Sequence, residues 1–143
     1  MRLWHQKLIP YLDDKRILGQ HRECCALRGG GWGRKHSVVD YVFGHEPARL
    51  YAYHVLVMDE MTRRGFRPDA LWYDRLYRGK NLSPFTLSET DSYVLDWDVI
   101  IYPEHDDAYL AECLDNLAEK GAELANGESL ASMRVRLAAE KGV

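Results

Sequence analysis

The 143-residue sequence contains few of the residues that mark small disulfide-bonded or metal-stabilised proteins. There are only three cysteines, Cys24, Cys25 and Cys113. An odd number of cysteines, two of them adjacent, does not suit a disulfide framework, so reduced and mostly buried thiols are expected. None of the six histidines stands at a metal-ligand spacing from a cysteine or an acid. The sequence therefore predicts neither a disulfide core nor a metal site.

Long apolar runs, repeats and low-complexity tracts are also missing. Polar and charged residues already occupy much of the first seven positions, and no stretch is long enough for a signal peptide or a membrane span. A chain of this length can bury about two-thirds of its unfolded surface in one domain without further cross-links. The sequence thus predicts one domain over residues 1–143, in the cytoplasm and with no membrane partner.

A net positive charge is the last conspicuous absence, since the formal charge is −3. The two parts of the chain differ, however. Residues 1–80 hold 15 Lys and Arg against 9 Asp and Glu, whereas residues 81–143 hold 4 against 13. A basic front can still bind nucleic acid, because local potential governs contact with phosphates. The alternative is a chance distribution of solvated charges.

Apolar residues recur at helical spacing and favour a single all-α domain with three main helices, additional short helices and an irregular aromatic-rich segment at 66–103. The first helix starts at Asp13 or Asp14 and ends at Gly29-Gly30-Gly31, the second runs from Pro47 to Arg63-Arg64-Gly65, and the third runs from Asp106-Asp107 to Lys120-Gly121. Residues 38–43 can be helix or strand, and helix is favoured. A last helix, from Glu128 to about Lys141, is expected to be peripheral, as part of a C-terminal segment at 122–143.

The N-terminus offers a nucleophile. Arg2 should prevent removal of Met1, whose free α-amine has a pKa of about 7.7–8.0 and is partly neutral near pH 7. Glu23 follows Gly19 by four residues, so both lie on one face of the first helix. A glycine inside a helix costs about 1 kcal/mol, which suggests close approach of another segment. The N-terminal strand crossing Gly19 would bring the amine beside the carboxylate, a pair suited to imine chemistry at a sugar carbon. Alternatively, Glu23 is a surface acid paired with arginines.

Three stretches resemble small bacterial proteins grouped with the bacteriophage pyrimidine-dimer DNA glycosylase, the endonuclease V family. They are MRLWHQKLIPYLDDKRILGQHRECCALRGGGWGRKHSVVDYVF at residues 1–43, DEMTRRGF at 59–66 and IYPEHDDAYLAECLDNLAEKG at 101–121. The most specific features are the Arg22-Glu23 dipeptide inside the first helix and the arginine at position 2.

The resemblance implies an all-α enzyme that uses the amine of Met1 as nucleophile and Glu23 as catalytic acid/base. Arg2 and Arg22 match family arginines that hold phosphates near the lesion. It further implies a monomer acting on damaged double-stranded DNA, by analogy at cyclobutane pyrimidine dimers, with a base flipped out of the stack. No metal or organic cofactor is implied, and the protein would associate with the nucleoid when bound to DNA.

The sequence departs from the family pattern in two places. Ala26 stands where the family has another phosphate-binding arginine, and Arg28 or Arg34 is expected to take its role. The family's aromatic and basic C-terminal tail is replaced by the acidic-leaning segment Ala122 to Val143. Two further hypotheses therefore stay open, namely a glycosylase for another modified base and a non-catalytic binder of distorted nucleic acid.

A glycine-rich basic loop, Gly29 to Lys35, follows the first helix. It lacks the Gly-Lys-Ser/Thr ending of a nucleotide-binding loop, so Arg34 and Lys35 are expected to contact the DNA backbone. Trp32 is predicted to stack on bases, although such aromatics also fill cores. His21 and His36 are predicted to line the site, with a structural role as the alternative.

Overall fold

The computed structural model describes residues 2–31, 39–86 and 99–139. Four α-helices occur in these ranges, namely α1 (Asp14–Arg28), α2 (Pro47–Arg63), α3 (Asp107–Glu119) and α4 (Leu130–Ala139). Three short 3-10 helices span Gln6–Tyr11, Asp40–Gly44 and Ala70–Tyr73. The described residues contain no β-strand, so the predicted all-α fold is confirmed. None of the helices in these ranges has both the length and the apolar character that crossing a membrane would require.

Local signals fix the ends of the main helices. Two residues with positive φ follow the end of α1, Gly30 at +93° and Gly31 at +83°, and the Gly31 N–H donates to the Ala26 carbonyl at 2.8 Å. Only glycine adopts this conformation without strain, so the helix stops here. Helix α2 begins with Pro47 at its first turn. At the start of α3 the Asp106 carboxylate accepts from the Tyr109 N–H at 2.8 Å.

One hydrophobic cluster lies between the helices. Helix α1 packs on α2, and the N-terminal residues 3–12 lie against both. Its fully buried members come from the N-terminal segment, from all four helices and from residue 102: Leu3, Leu8, Ile17, Tyr53, Val57, Tyr102, Leu114 and Met133. This arrangement places the apolar side chains of residues 3–12 in the core.

The C-terminal helix corrects one expectation. We expected the segment after residue 121 to be peripheral, but α4 contributes Met133 and Leu137 to the main cluster, with 0% and 2% of their surface exposed. Its charged side also pairs internally, because Arg136 lies 2.9 Å from Glu128. The apolar stripe of α4 therefore completes the core. Residues 140–143 lie outside the described ranges.

Candidate functional site

The N-terminal segment is tied to α1 through the side-chain amide of Gln20. Its Nε2 donates to the carbonyl of Arg2 at 3.0 Å, and the N–H of Trp4 donates to its Oε1 at 2.7 Å. Both Trp4 and Gln20 are buried. Arg2 consequently lies next to the part of α1 that carries Glu23. Met1 itself is outside the described residues, so the predicted distance between its amine and Glu23 remains a prediction.

A pocket of about 430 Å³ opens between the N-terminal segment, α1 and the end of α3. It is lined by Arg2, Trp4, Lys15, Arg16, Gly19, Gln20, Arg22, Glu23 and Lys120. Lys15, Gly19 and Glu23 recur every four residues, which places them in one row along α1. We call this cavity the Glu23 pocket. Its lining brings together three residues predicted from sequence, Arg2, Arg22 and Glu23.

Gly19 forms part of the pocket wall. The sequence suggested that the N-terminal strand passes closely over it. A Cβ built at Gly19 meets, among the described residues, only Nη2 of Arg22 at 3.8 Å, which is an ordinary contact. The glycine therefore leaves this part of the wall without a side chain. The approach of Met1 to Gly19 lies outside the described residues and stays a prediction.

Glu23 places its carboxyl group in this pocket. It is half-buried, and its Oε1 is shielded from solvent without a hydrogen-bond partner in the described parts of the chain. It also forms no ion pair with a described residue, so the alternative of a surface acid paired with arginines is not supported by these contacts. Burial raises the pKa of Glu23 to about 6 from an ordinary value of 4.5. A carboxyl group with this pKa can exchange protons near neutral pH.

Cationic side chains surround the carboxyl group. Lys15, Arg22 and Lys120 are exposed at the mouth of the Glu23 pocket. Arg2 is more enclosed: its guanidinium lies 5.7 Å from the ring of Trp4, and its Nη1 is buried with no hydrogen-bond partner within the described ranges. Nη1 approaches Glu112 only to 3.7 Å. Arg2 therefore contributes positive charge to the pocket lining, while its Nη1 faces Glu112 on α3.

Sequence reasoning missed three of the lining cations. Lys15 and Arg16 precede Gly19 on α1, and their spacing could have indicated that they share its face. Lys120 comes from the end of α3, and its Nζ lies 5.6 Å from the ring of Trp4. No local pattern in the sequence indicates that contact.

Arg28 does not fit its predicted role at the DNA backbone. It is 1% exposed, and its guanidinium donates to the backbone carbonyls of Trp72, Asp74 and Tyr77 at 2.6, 2.7 and 2.9 Å. It cannot reach a phosphate without breaking these bonds. Arg28 therefore holds the segment after α2 onto α1, and it does not replace the arginine that the family has at the position of Ala26.

His21 lies beside a buried histidine and not at the Glu23 pocket. Its Nδ1 is 2.8 Å from Nε2 of His54, and Nδ1 of His54 is 3.0 Å from Nη1 of Arg28. An arginine can only donate, so His54 accepts at Nδ1 and carries its hydrogen on Nε2, which donates to His21. Burial lowers the pKa of both histidines.

Cys25 completes a cluster that the sequence spacing did not indicate. The ligand atoms of His21, Cys25 and His54 lie within 4.8 Å of one another. A metal at this place would need the lone pair of Nε2 of His54. The contact from Arg28 puts a hydrogen there and adds a buried positive charge, so the cluster is arranged as a hydrogen-bond relay. Burial also raises the pKa of the Cys25 thiol to about 11, which disfavours the thiolate that binds metal.

The other predicted DNA-contacting residues, Trp32, Arg34, Lys35 and His36, lie outside the described residues. Their roles remain predictions.

Comparison with known proteins gives one match. The sequence model of the family described as pyrimidine dimer DNA glycosylase matches residues 1–74. This range includes the N-terminal segment, α1 and α2, and hence all of the Glu23 pocket except Lys120. No curated protein and no solved structure matches the chain.

Proposed function

The chain belongs to the pyrimidine dimer DNA glycosylase family, and we propose that it both releases a damaged base from duplex DNA and cleaves the strand at the resulting abasic site. Family membership makes it a DNA repair glycosylase, an enzyme that acts on DNA. The lyase step, the covalent intermediate and the residue roles below are our proposal.

The proposed reaction uses the α-amine of Met1. The amine nitrogen forms a bond to C1′ of the damaged nucleotide while the bond from C1′ to the base breaks, and the base leaves with the electron pair and takes up a proton. The nitrogen then loses a proton, the sugar ring opens with protonation of O4′, and an imine joins the protein to C1′. Removal of a C2′ proton expels the phosphate from C3′. Water finally hydrolyses the imine and frees the amine.

Glu23 is the residue we assign to the proton transfers. The observation that carries this assignment is the buried Oε1, which has no hydrogen-bond partner among the described residues and lies in a pocket shared with Arg2, the residue next to the proposed nucleophile. A carboxylate with a pKa of about 6 accepts a proton from the amine at neutral pH and can return it to O4′ or the leaving base.

The cations around the pocket suit the sugar–phosphate backbone on either side of the lesion. We propose that Arg2 and Arg22 contact phosphates, assisted by Lys15 and Lys120, which line the same pocket. Most of the described lining residues are polar, and the one aromatic residue among them, Trp4, is only 6% exposed. Recognition of the sugar and phosphates therefore belongs here, whereas the lesion itself must be read by other residues.

Reductive trapping tests the mechanism. Protein with a native N-terminus is mixed with an abasic-site duplex and sodium borohydride, which reduces an imine to a stable amine. We expect a covalent complex whose peptide map places the DNA on residue 1. Glu23→Gln should abolish strand cleavage while leaving DNA binding intact, and N-terminal acetylation should abolish trapping.

Two internal lysines make the mapping informative. Lys15 and Lys120 line the same pocket and could also form an imine. The variants Lys15→Arg and Lys120→Arg retain the charge and should trap normally. Attachment to either lysine, or no trapped complex with a native N-terminus, would reject the N-terminal mechanism.

A separate experiment identifies the lesion that the enzyme removes. We propose cyclobutane pyrimidine dimers as the substrate, in keeping with the family. Irradiated, alkylated and hypermodified duplexes should be compared in the same cleavage assay. Release of a different modified base would leave the proposed chemistry unchanged but would show that the substrate is another lesion. If the protein binds every distorted duplex but cleaves none, and Glu23→Gln binds equally well, the protein is a non-catalytic binder.

A further inference from the structure

The first residues of the chain are held by side chains from three different helices. Residues 2–5 form no regular structure, so their backbone groups need partners when buried. The hydroxyl of Tyr109 on α3 donates to the carbonyl of Leu3. The hydroxyl of Tyr53 on α2 donates to the carbonyl of Trp4 at 2.6 Å. Gln20 on α1 binds on both sides of Leu3, as described above.

Gln20 differs from the other two because it binds at the pocket. It is 2% exposed, lines the Glu23 pocket and precedes Glu23 by three residues. Its orientation is fixed by its partners, because the Arg2 carbonyl can only accept and the Trp4 N–H can only donate. The Tyr53 hydroxyl lies 2.9 Å from its Oε1, so the single hydroxyl hydrogen is shared between this oxygen and the Trp4 carbonyl.

Covalent geometry limits how far the amine can lie from this amide. The α-amine of Met1 is two residues upstream of the Arg2 carbonyl, and two residues span at most about 7 Å. Three residues of α-helix separate Gln20 from Glu23 by only about 4.5 Å along the axis. One side chain therefore fixes the backbone closest to the amine and belongs to the same helical turn as the carboxyl group.

We propose that Gln20 is a positioning residue, whose amide sets the distance between the amino terminus and the Glu23 carboxyl group. This inference rests on the function proposed above. A primary amide suits the task because it donates at one end and accepts at the other, without adding a charge next to Glu23. Reaction rates depend steeply on such distances, since a misplacement of about 1 Å can lower a rate about 100-fold.

Replacement by a side chain of similar size without hydrogen bonds tests the proposal. Gln20→Met should lower the single-turnover trapping rate on an abasic-site duplex by about 10- to 100-fold. The dissociation constant for the same DNA should change less than about threefold, because Gln20 contributes no charge to the phosphate contacts. Amide hydrogen exchange at Leu3 and Trp4 should become faster.

Gln6 provides the matched control. Its amide also ties the N-terminal segment to the rest of the protein, with Nε2 donating to the Val99 carbonyl at 3.0 Å and Oε1 accepting from the Ile101 N–H at 2.8 Å. It does not line the Glu23 pocket. Gln6→Met should therefore trap at close to the native rate. If both variants lose rate equally, the effect is a general loosening of the segment and the proposal is overturned.

Gln20→Glu keeps the test valid if Gln20→Met fails to fold. A protonated carboxyl group can donate to the Arg2 carbonyl as the amide does, but a carboxylate cannot. The trapping rate relative to native protein should approach one at low pH and fall as pH rises. A ratio that is flat with pH, or a fully active Gln20→Met, would overturn the positioning role while leaving the glycosylase mechanism intact. Native protein that never traps at residue 1 would overturn both.

Discussion

Replacing Gly19 by alanine should stabilise the protein and impair its reaction. Gly19 lies inside α1, where alanine is favoured over glycine by about 1 kcal/mol. The new methyl group would meet only Arg22 Nη2 at 3.8 Å among the described residues, so no steric penalty offsets this gain. We expect the melting temperature to rise by about 3 °C for a chain of this size.

The same methyl group would project into the Glu23 pocket, in the row formed by Lys15 and Glu23. A substrate sugar held against this wall would be displaced, and we expect the single-turnover cleavage rate to fall about tenfold or more. Thermal unfolding and cleavage are measured on the same preparation. Gly44→Ala is the control, because a Cβ at Gly44 has no described atom within 4 Å and the residue lies outside the pocket.

Two results would refute this reasoning about Gly19. A stabilised variant with the native rate would show that the substrate does not use the space above the glycine. A destabilised variant would show that this space is already filled in the folded protein. Only the combination of higher stability and lower rate identifies Gly19 as a residue retained for function.

Three further predictions concern the charged residues of α1. Arg28→Met should lower the unfolding free energy by about 3 kcal/mol, since three backbone carbonyls lose the charged donor that a buried guanidinium supplies, as measured by urea denaturation. Arg22→Ala should leave stability almost unchanged but weaken DNA binding, and the slope of log affinity against log salt should become shallower by about one; an unchanged slope would contradict a phosphate contact. Glu23→Gln should stabilise the protein above pH 6 by no more than about 1 kcal/mol, because the native carboxyl group is half-buried and its pKa is about 6 when folded but 4.5 when unfolded. Native stability therefore falls as pH rises from about 4.5 through 6, and the advantage of the variant should disappear below that range; a constant advantage across pH would contradict the raised pKa.

The helices could be predicted from sequence because their signals are local. The glycines after Arg28, the proline at position 47 and the capping Asp106 each act within one turn of the chain. The row of Gly19 and Glu23 could be predicted for the same reason, because both belong to α1. Features that depend on distant partners could not. Lys120 joins the pocket from α3, and His54 meets His21 from α2, at separations that no periodicity encodes.

Arg28 shows why residue type alone misassigned a contact. An arginine near a glycine-rich basic loop suggests a phosphate ligand, but a buried guanidinium group can equally donate to several backbone carbonyls of a neighbouring segment. Which of these partners the guanidinium contacts depends on the position of residues 72–77, which follow α2 and lie against the end of α1. The residue type therefore indicated a hydrogen-bond donor, but it did not indicate that the acceptors are backbone carbonyls of the protein and not phosphates.

Three features that oppose stability coincide at one pocket. Gly19 lies inside α1, and among the described residues neither the buried Oε1 of Glu23 nor the buried Nη1 of Arg2 has a hydrogen-bond partner, although Nη1 lies 3.7 Å from Glu112. A helix selected only for stability would carry alanine at position 19 and a neutral side chain at 23. Because locally unfavourable choices in an otherwise consistent sequence tend to mark functional sites, their convergence supports the Glu23 pocket as the reaction site independently of the family match. Arg2 and Glu23 also bring opposite charges to one pocket, which suits contacts with both the phosphates and the hydroxyl-bearing sugar of a DNA strand.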